Sequence, residues 1–132
     1  MNWIYFFFSV IKNNKVFKAM DTWRSLIATS GFASGHSSAS IINKKVHQKF
    51  DEYDESFDLA ADNYLFEKIY TNNKTNIRWY PYIILGKFLG GGMSTFDLKK
   101  SFLEIYLSRT KAGRSIILEN LIYLFRRLKY KV

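Results

Sequence analysis

Apolar and aromatic segments near the start of the chain alternate with short polar breaks. Residues 3–11 and 16–20 are rich in aromatic and β-branched side chains, and the polar segment KNNK (12–15) separates them. This pattern predicts two strands joined as a hairpin. Three further elements are predicted in the first half of the chain: a helix over 22–29, a strand around 38–42 and a short helix near 44–50.

Helical periodicity dominates the second half. Apolar residues at helical spacing predict a helix over 58–70. Residues 77–89 predict one or two strands interrupted by a proline, which cannot donate to a central strand ladder. Two final helices are predicted over 97–112 and 114–130, with Gly113 marking the break between them.

The predicted fold class is mixed α and β within a single domain of 132 residues. A chain of this length buries enough surface for one core, and its 48% hydrophobic content supports an ordered globular structure. We expect a strand-and-helix region over 1–95 followed by a basic helical tail over 96–132. The absence of cysteine excludes disulfides and thiol chemistry. With no signal-peptide or membrane-spanning pattern, we expect a cytoplasmic protein.

Charge is unevenly distributed along the chain. The formal net charge is +9, yet residues 51–62 hold six acids. From Lys99 onward, nine Lys and Arg residues are accompanied by only Glu104 and Glu119. This asymmetry favours contact of the basic tail with phosphates or anionic lipid, or, more simply, a solvated helix face. A basic nucleic-acid- or membrane-binding module is therefore one candidate function.

The segment SGFASGHSSAS (30–40) nearly contains the Gly-x-Ser-x-Gly turn of serine hydrolases, with Ser37 as the nucleophile. The second glycine is replaced by Ala39, and the only downstream histidine, His47, lies ten residues on in a predicted helix. Both departures argue against a hydrolase. Calcium-loop and phosphate-loop patterns also fail, because the required glycine and the Gly-Lys-Ser/Thr sequence are missing.

Four short motifs follow one another along the chain: HSS (36–38), DESFDLAADNYLF (54–66), IRWYP (77–81) and FLGGGMS (88–94). Taken in this order, they resemble bacterial family-2 glycosyltransferases that build polysaccharides. The central motif, DESFDLAADNYLF (54–66), is similar to the FDESF-x-IAAD block of that family. HSS (36–38) stands where the family often has His-Gln-Ser, and IRWYP (77–81) and FLGGGMS (88–94) follow in the family's order. The resemblance spans residues 34–110.

This resemblance implies the acceptor-side part of a GT-A fold. It also implies an inverting sugar transfer from a nucleotide-sugar to a polysaccharide or lipid-linked acceptor. Asp62 would be the catalytic general base that takes the proton of the acceptor hydroxyl. The family has a second acid two residues after this one, and this chain has Tyr64 there instead. Tyr64 does not supply the carboxylate with which that acid would contact the acceptor or orient the site. The substrate site would be lined by residues of the two flanking motifs: His36, Ser37, Gly91, Gly92 and Ser94.

The family further implies a nucleotide-binding half that ends in an Asp-x-Asp, which holds Mn²⁺ or Mg²⁺ on the donor diphosphate. No Asp-x-Asp occurs in this sequence. We therefore expect the metal ligands and the donor-binding half to be absent from this chain, which is either truncated or completed by another polypeptide. We expect weak or no transfer by the chain alone. A non-catalytic remnant or a partner-dependent subunit is the corresponding alternative.

The last predicted helix is amphipathic and basic. Its apolar stripe is formed by Ile117, Leu121, Leu124 and Leu128. Cations crowd its end: Arg126, Arg127, Lys129 and Lys131. Two interpretations remain open: the stripe packs on the domain core, or residues 114–131 lie on anionic lipid, which would make the protein peripheral on the inner face of the membrane.

Overall fold

The fold is mixed α and β, as the sequence predicts. In a computed structural model, the described residues are 3–7, 10–12, 15–17, 40–51, 53–71, 76–80 and 96–132. Within these ranges the chain forms five strands and four helices. It divides into two compact units, Met1–Glu52 with Asn72–Gly90 and Tyr53–Thr71 with Gly91–Val132. The helix predicted over 22–29 and the strand predicted after the proline lie outside the described residues.

The first unit contains all five described strands. They are β1 (Trp3–Phe7), β2 (Val10–Lys12), β3 (Lys15–Phe17), β4 (Ser40–Ile42) and β5 (Asn76–Tyr80). Three of them form a sheet in the order β4-β1-β5. β1 is antiparallel to β4, with Ile4 opposite Ile42, and parallel to β5, with Ile4 opposite Ile77. The strands predicted around 38–42 and at the start of 77–89 are thereby confirmed.

The other two strands form a separate hairpin. β2 and β3 pair antiparallel, with Lys12 opposite Lys15, which confirms the hairpin predicted at the KNNK segment. The prediction of one continuous strand over 3–11 is wrong, because β1 and β2 belong to different sheets. An unbroken apolar run does not reveal this division, since strand partners are set by non-local pairing.

Helix α1 (Lys44–Phe50) matches the short helix predicted near 44–50. The side-chain oxygen of Asn43 caps its start by accepting the Lys45 N–H at 2.9 Å. Val46 and Phe50, one turn apart, are buried. The helix ends at Phe50, and the next residue, Asp51, has a positive φ of 61°.

The described part of the second unit contains three helices. They are α2 (Ala61–Thr71), α3 (Leu98–Lys111) and α4 (Ile116–Tyr130). Helix α3 packs against both α2 and α4. Between α3 and α4, Gly113 has a φ of +95°, and the Arg114 N–H donates to the Arg109 carbonyl at 3.1 Å, as in a Schellman helix end. The last two predicted helices and their break at Gly113 are confirmed.

The helix predicted over 58–70 begins three residues later than expected, at Ala61. The N–H groups of Leu59 and Ala60 donate to the carboxylate of Glu104 on α3. The Glu104 carboxylate, distant in sequence, therefore accepts two N–H groups that would have no acceptor within the first turn of a helix. These hydrogen bonds hold residues 59–60 outside the helix. Phe57, Ala60 and Ile105 are buried together beneath it and form part of the core of the unit.

Helix α4 turns its apolar stripe outward. We call this stripe the outer stripe; its members, Ile117, Leu121, Leu124 and Leu128, are 55% to 76% exposed. The interpretation that it packs on the core is therefore wrong. The reason is that the opposite side of α4 is held inward by an ion pair between Arg109 and the buried Glu119. None of the described helices is long and apolar enough to cross a membrane.

Candidate active site at the start of helix α2

The loop that leads to Asp62 is shaped first by local hydrogen bonds. Asp54 Oδ1 accepts the Ser56 N–H at 3.0 Å and the Ser56 hydroxyl at 2.6 Å. The Phe57 N–H donates to the Asp54 carbonyl at 3.1 Å. Asp and Ser favour turns of this kind because their short side chains bond to nearby backbone groups. The sequence DESF therefore forms a turn that directs Phe57 into the core.

Aromatic packing and a lysine fix the same turn to the helices. The rings of Phe57 and Tyr64 lie 5.3 Å apart between centroids. Lys111 Nζ lies 5.3 Å and 5.1 Å from these two ring centroids and donates to Asp54 Oδ2 at 2.6 Å. This hydrogen bond, together with those from Ser56, holds the pKa of Asp54 well below its usual value.

Glu104 holds the second half of the loop. Its Oε2 accepts the N–H of Leu59 at 2.7 Å and the N–H of Ala60 at 3.1 Å. Glu104 is buried, and Lys100 Nζ lies 4.0 Å from its other oxygen. Lys100 also forms an ion pair with the exposed Asp58. Charge-assisted hydrogen bonds of this kind are the stronger ones, so the backbone before Asp62 has a defined position.

Asp62 lies in the first turn of α2 and is half-buried. Its Oδ1 accepts the adjacent Asn63 N–H at 2.7 Å. Burial, with the negative charge of Asp62 as a second cause, raises the pKa of the Tyr53 phenol. Tyr53 is about half exposed as a residue, and its phenol, protonated at neutral pH as in any tyrosine, is a hydrogen-bond donor that interacts electrostatically with Asp62.

Asp62 is the one predicted site residue that the structure describes. His36, Ser37, Gly91, Gly92 and Ser94 lie outside the described residues. Sequence reasoning missed Tyr53, although it directly precedes the DESFDLAADNYLF motif. It also missed Glu104, because helical periodicity places this acid about 160° from Phe102 on the helix and so predicts no face that the two residues share.

A buried charge cluster ties the three helices of this unit together. Arg109, which is fully buried, donates to Glu119 Oε2 at 3.1 Å and lies 3.6 Å from Glu67 Oε1. Arg114 Nε donates to Glu67 Oε2 at 2.6 Å. Burial raises the pKa of Glu67, lowers that of Arg109 and lowers that of Arg126 to about 10. The cluster holds together α2, which contains Asp62, and α3, whose Glu104 binds the loop before Asp62.

The described residues do not fit a divalent metal ion. In the ranges that the structure describes, no three histidine or acidic side chains come together as metal ligands would. The acids of the loop are engaged elsewhere: Asp54 with Lys111, and Asp58 with Lys100. We therefore assign these residues no catalytic step through a metal.

No protein-family model, curated protein or solved structure matches this chain. The resemblance to family-2 glycosyltransferases therefore rests on the four sequence motifs. Of these, the structure describes residues 54–66 completely and residues 77–80 as backbone in β5. Of the four motifs, DESFDLAADNYLF (54–66) is therefore the one whose side chains are described.

Proposed function

We propose that this chain is the acceptor-side part of an inverting GT-A glycosyltransferase, and that Asp62 is its general base. The observation that carries the proposal is the position of Asp62 and the hydrogen bonds that hold the loop before it. It lies in the first turn of α2 at the end of a loop held by Glu104, and it is half-buried. A base must be positioned before it can act, and this loop supplies the position.

The proposed reaction needs one carboxylate on the acceptor side. Asp62 takes the proton of an acceptor hydroxyl as that oxygen attacks the anomeric carbon of a nucleotide-sugar. The new bond joins the acceptor oxygen to the anomeric carbon. The bond from that carbon to the diphosphate oxygen breaks, and the nucleoside diphosphate leaves with the electron pair. Attack on the opposite face to the leaving group inverts the anomeric configuration.

Tyr53 supports this role as a binding group. The phenol is protonated at neutral pH, so it can donate a hydrogen bond to a sugar oxygen, and its electrostatic interaction with Asp62 connects it to the proposed base. The partners of the proposed activity are a nucleotide-sugar donor and a polysaccharide or lipid-linked acceptor. A donor-binding half and its divalent metal would have to be supplied from outside this sequence, because the Asp-x-Asp that the resemblance implies does not occur in it.

The test uses the protein isolated from its native cells, together with any polypeptide that copurifies with it. The assay measures transfer of radiolabelled sugar from UDP-glucose, UDP-galactose or GDP-mannose into material of the native membrane fraction. Asp62→Asn keeps an oxygen that can accept the Asn63 N–H, so the fold is expected to persist. The variant should lower transfer by about 10² to 10⁴.

Asp58→Asn is the matched control, since it removes another acid of the same loop that is exposed and forms an ion pair with Lys100. It should retain transfer. Equal activity of Asp62→Asn and the unaltered protein would refute the base assignment. Absence of transfer from every donor tested, in preparations with and without a copurifying polypeptide, would refute sugar transfer and favour a non-catalytic remnant.

A further inference from the structure

Helix α4 buries charged side chains on one face and exposes apolar side chains on the opposite face. Its inward face buries Glu119, Ile122 and Arg126. Its outer stripe lies on the opposite side and is exposed over about three turns. Ile116 and Phe125 add further exposed apolar surface, at 61% and 50%. A helix that buries its charges and exposes its leucines has an apolar face that the described residues do not cover.

Cations border this apolar face on both sides. At 100° per residue, Arg127 lies about 90° from the centre of the outer stripe on one side, and Lys129 lies about 110° from it on the other. Lys131 follows in the C-terminal cap. The only acid in α4 is Glu119, and it is 1% exposed. The solvent side of α4 therefore carries positive charge and no negative side chain.

We propose that α4 lies flat on an anionic lipid surface. The outer stripe enters the boundary of the acyl chains, while Arg127, Lys129 and Lys131 meet the headgroup phosphates. An apolar stripe edged by cations is complementary to a surface that is apolar below and anionic above. The proposal rests on α4 alone and does not depend on sugar transfer.

Other occupants fit these observations less well. A second copy of the chain would cover leucines with leucines, but it would bring only further cations to the edges of the stripe. A nucleic acid would neutralise the cations and leave the outer stripe in water. Lipid is the partner that uses both features at once.

The first experiment measures cosedimentation of the full chain with vesicles of equal parts phosphatidylcholine and phosphatidylglycerol. The variant Leu124→Gln with Leu128→Gln removes two exposed leucines one turn apart. We expect its partition onto these vesicles to fall by at least about tenfold. Leu103→Gln with Leu107→Gln is the matched control on α3, where both leucines are also exposed, and it should bind as the unaltered chain does.

The second experiment tests the cations with the same vesicles. Lys129→Gln with Lys131→Gln should weaken binding about fivefold for each cation removed, and added salt should reduce that difference. Lys44→Gln with Lys45→Gln changes the net charge equally at exposed positions of α1 and is the control. It should leave binding unchanged.

Four results would overturn the proposal. The first is failure of the unaltered chain to bind the anionic vesicles. The second is equal binding to pure phosphatidylcholine. The third is a dimer, seen by analytical ultracentrifugation, that the leucine variant abolishes without changing vesicle binding. The fourth is binding to a single-stranded RNA that displaces the vesicles and is indifferent to the leucine variant.

Discussion

Glu104 accepts the backbone N–H of Leu59 at 2.7 Å across 45 residues of sequence. This hydrogen bond joins the middle of helix α3 to the loop before Asp62. The same carboxylate oxygen also accepts the Ala60 N–H, so one side chain satisfies two backbone donors. Because these donors are at least partly buried, losing their acceptor would leave them unsatisfied.

Replacement of Glu104 tests this relationship. Glu104→Ala should lower the free energy of unfolding by about 2 kcal/mol, because it removes a charged acceptor from two backbone donors. Glu104→Gln keeps an oxygen in the same place and should cost less than half as much. Urea unfolding measures both changes. Faster hydrogen exchange at Leu59 and Ala60 in the alanine variant would locate the effect, and equal losses for the two variants would contradict the hydrogen-bond explanation.

The buried charge cluster gives a second prediction. Arg109→Met should destabilise the protein by about 3 to 5 kcal/mol, because it leaves the buried carboxylates of Glu67 and Glu119 without their shared cation. Lys99→Met, on the exposed side of the same helix, should change stability by less than about 0.5 kcal/mol.

A double-variant cycle makes this prediction specific. Arg109→Met combined with Glu119→Met should be less destabilising than the sum of the two single changes, by at least about 1 kcal/mol. Simple additivity in urea unfolding would mean that the two side chains contribute independently and not as an ion pair.

Asp54 gives a prediction about pH. Its folded-state pKa is lowered by Lys111 and Ser56, so its contribution to stability is present above the unfolded-state pKa and is lost as the pH falls through the folded value. At pH 7 the unaltered protein should therefore have a higher urea midpoint than Asp54→Asn. The difference should shrink below about pH 4, where the unfolded chain begins to take up the proton.

Glu55→Gln is the control for this pH series, because Glu55 is an exposed acid of the same turn. Its midpoint should follow that of the unaltered protein at every pH. A gap between Asp54→Asn and the unaltered protein that stays constant down to about pH 2 would show that the ionised Asp54 carboxylate is not what stabilises the turn.

Local sequence signals predicted the elements whose ends are set locally. Helix α1 follows its Asn43 cap, and α3 ends at Lys111, two residues before Gly113, where the chain needs a positive φ. The predicted start of α2 at residue 58 differs from the observed start at Ala61, because the N–H groups of Leu59 and Ala60 donate to Glu104, which is distant in sequence. The run over 3–11 was misread as one strand because the partners of β1 are β4 and β5.

Sequence reasoning alone established the mixed α and β character, the hairpin at KNNK, the four described helices to within a few residues, and the place of Asp62 near a helix start. Which face of α4 is buried became known only from the packing of the helices. Periodicity predicts that leucines face inward, but Glu119 and Arg126 face inward instead, and Glu119 pairs there with Arg109. A pattern of polarity records which side chains avoid water on average, whereas a buried ion pair depends on charges that meet only after distant helices have packed.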